Sequence, residues 1–221
     1  QKTAYEIKEC DWSSDVCSSD LQHTLFEVDL FQNRILYVKN AVSCPSELIQ
    51  FIEDLDENDV IGNWQNWDSY GENNSVNYGK QRYINMDSLK FLNYDLDESK
   101  RILYIANSIE MASFMGFNLY FDLIGLNKSD YVFRAPYFIK KWNIGSGMGP
   151  HKDVGPDSPD YTMLVYLNDN YIGGEIEFPE FNIKIKPEPG SAVIFPSQET
   201  HLRSEEHTSE LQSHSFISYA V

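Results

Sequence analysis

Basic charge is scarce in this 221-residue chain: 17 Lys and Arg stand against 34 Asp and Glu, a formal net charge of −17. Such a surface has no surplus of cations for a phosphate backbone, so broad nucleic-acid binding is not expected. A small local basic site remains compatible with it. Cysteine is scarce too, and three residues are too few for a disulfide framework. No apolar run approaches the roughly 20 residues that span a bilayer. The N-terminus lacks the charged-then-apolar pattern of a secretion signal. No membrane partner is expected, and the expected location is cytoplasmic. Internal repeats and low-complexity linkers are also absent. What is present is length enough for one domain with a real core. Hydrophobic residues make up 42% and aromatics 14%, which excludes a disordered tail.

Both ends lack strand or helix periodicity. Asp11–Leu21 reads DWSSDVCSSDL and Arg203–Gln212 reads RSEEHTSELQ. Back-translated with one set of codons, the second resembles a sequencing-library adapter, and the first resembles the complementary strand of the same DNA. QKTAYEI at the start and ISYAV at the end resemble the neighbouring primer segment and its complement. The expected division is an adapter-like tail over 1–21, a domain over 22–202 and a second adapter-like tail over 203–221. Both tails are expected to be irregular and largely exposed. Ser215–Val221 carries the most risk, because Phe216, Ile217, Tyr219 and Val221 could mimic an edge strand. Outside the tails the histidines are His23, His151 and His201, and the cysteine is Cys44.

Phe31–Val38 has the β-branched and aromatic bias of a strand. Ser43–Leu55 reads as a helix, with Ser43 as cap, Pro45 in the first turn, and Leu48, Ile49, Ile52 and Leu55 on one face. Asp56–Tyr78 is acidic and Asn-rich, and is expected to be a loop with Trp64 and Trp67 as anchors or as a lid. Ile102, Ile105, Ile109 and Ala112 mark a long helix over Asp97–Phe117, which Leu119–Gly125 can continue. From Tyr131 the texture changes to short β-rich runs: Tyr131–Trp142, Tyr161–Leu167, Glu175–Phe178, Asn182–Ile185 and Ala192–Phe195. Turn signals separate them, which predicts an antiparallel sandwich or barrel. The helical half is expected to pack on one of its sheets.

The chemistry-bearing stretch is Gly149-Pro150-His151-Lys152-Asp153. Side chains two apart on a strand share a face, so an imidazole and a carboxylate can converge there. A third ligand must come from elsewhere, and His201 follows the strand Ala192–Phe195. Two imidazoles and one carboxylate make the facial set expected for non-haem Fe(II), with open positions beside it. On spacing alone His-x-Asp is a weak motif that a solvated turn also produces.

The surroundings strengthen it. Trp142-Asn-Ile-Gly145, His151-x-Asp153, Tyr166-Leu-Asn168, Gly173-Gly174-Glu175, Pro187-x-x-Gly190-Ser-Ala192 and Phe195-Pro-Ser197 before His201 follow one another in order. Across Tyr137–Leu202 the chain resembles the 2-oxoglutarate- and Fe(II)-dependent oxygenases, in their prolyl 4-hydroxylase-like branch. The resemblance implies an α+β fold: a double-stranded β-helix (jelly-roll) core over 131–202, with the helical part over 22–130 on one sheet. It implies iron ligation by His151, Asp153 and His201, which are also the catalytic residues. It implies a role for Tyr166 in holding the distal carboxylate of 2-oxoglutarate, and for Trp142 in lining the co-substrate site. An indole offers only an N–H donor, so Trp142 departs from the tyrosine common there. Gly173 and Gly174 read as turn residues.

The cofactors implied are Fe(II), 2-oxoglutarate and O2, with ascorbate as an accessory reductant. The reaction implied is oxidative decarboxylation to succinate coupled to hydroxylation of a C–H bond. Its substrate is a peptide, with a prolyl or related residue as target, or a small molecule. One departure stands out. The family places an Arg or Lys nine or ten residues after the distal histidine, and those positions here are Glu210 and Leu211. The last core strand should lie there, and is expected to be missing. The rival reading is a non-catalytic cupin-type barrel binding a metal or small molecule, which would normally carry a denser histidine cluster. A purely structural jelly-roll would leave the ordered motifs unexplained.

Overall fold

The computed structural model describes residues 2–6, 25–57, 65–70, 76–85, 96–131, 134–142, 148–153, 160–171, 173–204 and 214–220. Strand β1 (Lys2–Glu6) pairs antiparallel with β2 (Leu25–Phe31). The next strand, β3 (Ile35–Val38), returns along β2 through a turn over residues 32–34. Gln32 and Asn33 lie in that turn with φ of 52° and 51°, and the Arg34 amide donates to the Phe31 carbonyl at 2.9 Å. A left-handed pair matches the twist of the flanking strands. The single strand expected over Phe31–Val38 is therefore the end of one strand, a turn and a second strand. No glycine marks this turn, and so the sequence concealed it.

Helix α1 (Pro45–Glu57) begins where a proline's fixed φ suits a first helical turn. Its Leu48 and Ile52 are buried; Leu55 has no described side chain. The segment Asp56–Tyr78, expected to be a loop, instead supplies β4 (Gln65–Tyr70) and the start of β5 (Val76–Asn85), which pair with one another. Pairing of β5 with β6 (Arg134–Trp142) accounts for this, since neighbouring strands override weak local propensity. Trp67 lies in β4, while Trp64 lies outside the described residues. Helix α2 (Leu96–Ile124) runs unbroken through both predicted segments. Its Ile102, Ile105, Ile109, Ala112, Phe117 and Tyr120 are buried.

The remaining strands are β7 (Met148–His151), β8 (Tyr161–Tyr166), β9 (Glu175–Phe178), β10 (Ile183–Ile185), β11 (Ala192–Pro196), β12 (His201–Ser204) and β13 (His214–Ala220). Among the described residues they complete two antiparallel sheets. The larger has the order β1-β2-β3-β11-β8-β13-β6-β5-β4, and the smaller β10-β9-β12-β7. From β6 onward the chain repeatedly crosses between them. Alternation along the larger sheet serves two cores. Met163, Val165, Ala192 and Ile194 face α1 and α2. Leu164, Tyr166, Val193 and Phe195 face Ile176, Phe178 and Ile185 of the smaller sheet. The helices thus pack on one sheet, as expected. Lys141 reinforces this layer, its Nζ lying 2.8 Å from a Glu53 carboxylate oxygen on α1. Among the described residues no helix is long and apolar enough to cross a membrane.

The ends differ from expectation. Lys2–Glu6 and His214–Ala220 are strands, so neither tail is irregular throughout. Moreover, β13 lies between β8 and β6, in the slot expected to lack a strand. An open sheet edge can be satisfied by backbone groups alone, and the aromatic and β-branched content of Phe216, Ile217 and Tyr219 favours that state. Glu210 and Leu211 lie outside the described residues.

Close approach of α2 to the larger sheet depends on Gly116. A Cβ there would meet Ile194 Cδ1 at 3.0 Å and Met163 Cε at 3.2 Å. Gly116→Ala sets a helix-propensity gain of roughly 1 kcal/mol against this crowding, and is expected to be near neutral. Gly116→Leu should destabilise by about 1–3 kcal/mol, because overpacking forces side chains off their rotamers. Urea denaturation of both variants measures the difference.

Candidate metal centre

Antiparallel pairing of β7 with β12 puts His151 directly opposite His201. Their ring centroids are 4.2 Å apart. Asp153 lies just beyond the end of β7, where its backbone amide donates to the Ser197 carbonyl at 3.0 Å. One donor atom from each of His151, Asp153 and His201 lies within 4.8 Å of the others. The convergence expected from the sequence is therefore present. Asp153 Oδ1 is 3.7 Å from His151 Nε2, and Oδ2 is 3.7 Å from His201 Nε2.

Backbone carbonyls orient both imidazoles. His151 Nδ1–H donates to the Gly149 carbonyl at 2.8 Å, and His201 Nδ1–H to the Glu199 carbonyl at 3.2 Å. A carbonyl only accepts, so the proton of each neutral ring is on Nδ1. That leaves the Nε2 atoms, each 3.7 Å from an Asp153 carboxylate oxygen, to present lone pairs to a cation. Metal-binding histidines usually have their second nitrogen fixed in this way. The carboxylate is oriented as well. Thr162 Oγ1–H donates to Asp153 Oδ2 at 3.0 Å, and its oxygen lies 2.8 Å from Ser197 Oγ. Thr162 and Ser197 are both buried. With Thr162 donating to Asp153, Ser197 donates to Thr162, and every proton in the chain has an acceptor.

Burial grades across the three side chains. His201 is 3% exposed, His151 16% and Asp153 31%. Phe195 and Phe178 flank the His201 ring, at 4.7 and 6.1 Å between centroids. The site is thus closed on the side of the inter-sheet core and open on the side of His151 and Asp153. Tyr166 is fully buried in that same core. Trp142 ends β6, but its side chain lies outside those described. Lys140, also in β6, stands opposite Phe216 of β13, which in turn stands opposite Tyr166 of β8. Residues directly opposite in a sheet share a side, so Lys140 and Tyr166 lie on one side of it. Gly173 and Gly174 have φ of 85° and 72°, and a Cβ on Gly174 would lie 2.2 Å from the Tyr171 ring. They serve a turn, as read from the sequence.

The sequence reading did not single out Thr162 or Glu199, nor Ser197 for itself. Ser197 belongs to the quoted Phe-Pro-Ser motif, and Thr162 is the second residue of β8, the strand that ends at the tyrosine of Tyr-Leu-Asn. Their link to the ligands is a matter of tertiary placement.

Two imidazoles and a carboxylate with open neighbouring positions suit a non-haem iron centre. Residues 137–215 match the 2OG-Fe(II) oxygenase superfamily. That match takes in the whole His-x-Asp…His set and extends past Leu202. The resemblance read from the sequence is borne out. Comparison with curated protein sequences finds no match. Solved structures of similar fold include a prolyl hydroxylase from Trichoplax adhaerens in complex with a hypoxia-inducible factor peptide. It is 19% identical with a TM-score of 0.58, and the alignment covers 86% of this chain and 84% of that one. A Pseudomonas putida prolyl-4-hydroxylase is 14% identical, with a TM-score of 0.54 and coverage of 86% and 93%. An auxin-oxidising dioxygenase from Arabidopsis thaliana, bound to 2-oxoglutarate, is 16% identical, with a TM-score of 0.55 and coverage of 85% and 82%.

Its hydrogen bond to Asp153 makes Thr162 a sensitive position. Thr162→Val keeps the side-chain shape and removes the hydroxyl that links Ser197 to Asp153. Metal affinity should fall by roughly tenfold, the usual order for loss of a partner behind a ligand. Calorimetric titration with Co(II) measures it.

Proposed function

We propose that this protein is an Fe(II)- and 2-oxoglutarate-dependent dioxygenase that hydroxylates a C–H bond, with a prolyl or related residue of a peptide as the favoured target. The observation that carries the reading is the oriented donor set: two Nε2 lone pairs and one carboxylate on one open-sided spot. We further read β6–β13 as a double-stranded β-helix, in keeping with their repeated crossing between two sheets. A cytoplasmic location remains our reading.

His151, Asp153 and His201 would hold iron. Bound together, iron and 2-oxoglutarate supply the oxidising chemistry by coupling decarboxylation to succinate with oxygen transfer. The chain's own groups bind, orient and exclude. Gly149 and Glu199 carbonyls keep the histidine protons on Nδ1, away from the metal side. Ser197 and Thr162 keep a hydroxyl proton directed at Asp153 Oδ2, so the carboxylate does not swing toward solvent. Phe178, Phe195 and the apolar residues behind them keep water from the inner side of His201. Tyr166 would donate its hydroxyl to the far carboxylate of 2-oxoglutarate, with Trp142 lining the same space.

Lys140 is our candidate for the cation that the sequence lacks at Glu210 and Leu211. Its place on the Tyr166 side of the sheet supports this, whereas its neighbour Lys141 engages Glu53 on the helix side. The rival cupin-type binding barrel shares the β architecture, and turnover separates the two.

Incubation with Fe(II), 2-oxoglutarate and O2 should release succinate. His151→Ala should abolish that release, because the two remaining ligands hold iron poorly; undiminished release by this variant would sink the assignment. Lys140→Met should raise the 2-oxoglutarate dissociation constant about tenfold or more, the scale of a lost charge-assisted hydrogen bond. Lys141→Met should leave it nearly unchanged.

We also read 1–21 and 203–221 as translated adapter, on the codon match alone. The strands at Lys2–Glu6 and His214–Ala220 weigh against the reading. Finding these codons in source DNA would end it.

A further inference from the structure

The turn between β2 and β3 is bound from two sides by groups the oxygenase reading does not use. Tyr120 of α2 is fully buried, and its hydroxyl donates to the Arg34 carbonyl at 2.7 Å. Burial pushes that hydroxyl well above the ordinary range for tyrosine, so it remains a proton donor at any physiological pH. On the other side, the Arg34 guanidinium donates to the Glu199 carboxylate. The two ends of this ion pair differ sharply, with 56% of the Arg34 side chain exposed but only 7% of the Glu199 side chain. A nearly buried carboxylate requires a partner, and the turn supplies it.

Glu199 is also the residue whose carbonyl accepts the His201 Nδ1 proton. Its own amide donates to Pro196 at 3.0 Å. An unbroken path therefore runs from Tyr120 to Arg34, from Arg34 to Glu199 and from Glu199 to His201. The turn that presents Arg34 is itself under strain, since Gln32 holds a φ of 52° without the glycine or asparagine usual there. Such strain persists where surrounding structure fixes it, and functional sites are where it collects.

We propose that Arg34 and Glu199 are positioning residues for the metal centre, clamping the segment before His201 so that its carbonyl fixes the tautomer and aim of the imidazole. The inference rests on the metal reading above. His151 has no counterpart to this clamp in the path described, because its proton goes to Gly149. The two histidines therefore respond differently when the clamp is lost.

The test uses the full chain and Co(II) alone, read by its visible absorption. Arg34→Ala and Glu199→Gln should each weaken Co(II) binding about tenfold and alter the absorption bands. Arg34→Lys should restore most of the affinity. Solvent exchange of the His201 Nδ1 proton, followed by NMR, should speed up in the first two variants, while that of His151 stays as in the unaltered chain. Lys128→Ala, which breaks the exposed Asp122–Lys128 pair, should change neither reading. Folded Arg34→Ala protein with unaltered Co(II) affinity and unaltered His201 exchange would overturn the clamp, and a lowered melting temperature alone would make the pair structural. Failure of the unaltered chain to bind Co(II) would instead overturn the metal reading, and the clamp with it.

Discussion

Everything in the site depends on the register between β7 and β12, which sets His201 opposite His151. Side chains directly opposite on antiparallel strands share a side of the sheet, and a slip by one residue sends one of them through to the other side. Pairing on the other edge of β12 supports that register. On the far side of β12, Leu202 stands opposite Glu177 of β9. The irregularity between His201 and Arg203 comes immediately after the ligand, which is the first residue of β12. A bulge at such a place lets a strand turn its side chain without losing its neighbours.

Given that register, Ser197–His201 becomes the hub of the site. Its backbone and side chains reach two of the three candidate ligands: Ser197 through its carbonyl to the Asp153 amide, Ser197 through Thr162 to the Asp153 carboxylate, and Glu199 through its carbonyl to His201. Short loops with this many internal and outward hydrogen bonds have little freedom left to lose on binding a cation. Preorganisation of this kind places ligand atoms before the metal arrives. The Asp153 oxygens lie 3.7 Å from the two Nε2 atoms, close enough for all three side chains to converge on one cation.

What the sequence revealed and what it hid follow from the range of the interactions. Helix α2 was legible because Ile102, Ile105, Ile109 and Ala112 repeat at the period of a helix, a local signal. His-x-Asp is legible as a pair, but strand alternation is only part of what brings the two together, since β7 ends at His151 and the Asp153 amide is held by Ser197. The turn at Gln32-Asn33 and the pairing of β4 with β5 were hidden. Neither depends on residues with a strong local preference; both depend on what the strand edge next to them offers. Arg34 and Glu199 are 165 residues apart in sequence, and no spacing rule reaches across that interval.

The larger sheet shows why one architecture can be both stable and chemically useful. Val165 and Ile194 point to the helices; Tyr166 and Phe195, one residue on, point to the inter-sheet core. The helix side is close-packed, with Gly116 letting α2 approach Ile194 and Met163, and it gains from every methylene buried there. The inter-sheet side has a different task. It must be apolar enough to exclude water behind His201, yet admit polar groups such as Thr162 and Ser197, each paid with a hydrogen-bond partner. Because period-two alternation separates the two faces, the helix-side residues can be optimised for packing while their immediate neighbours in sequence serve the site. Stability from the first face is what permits the second to keep a half-buried carboxylate beside a buried imidazole, an arrangement no hydrophobic core would select for itself.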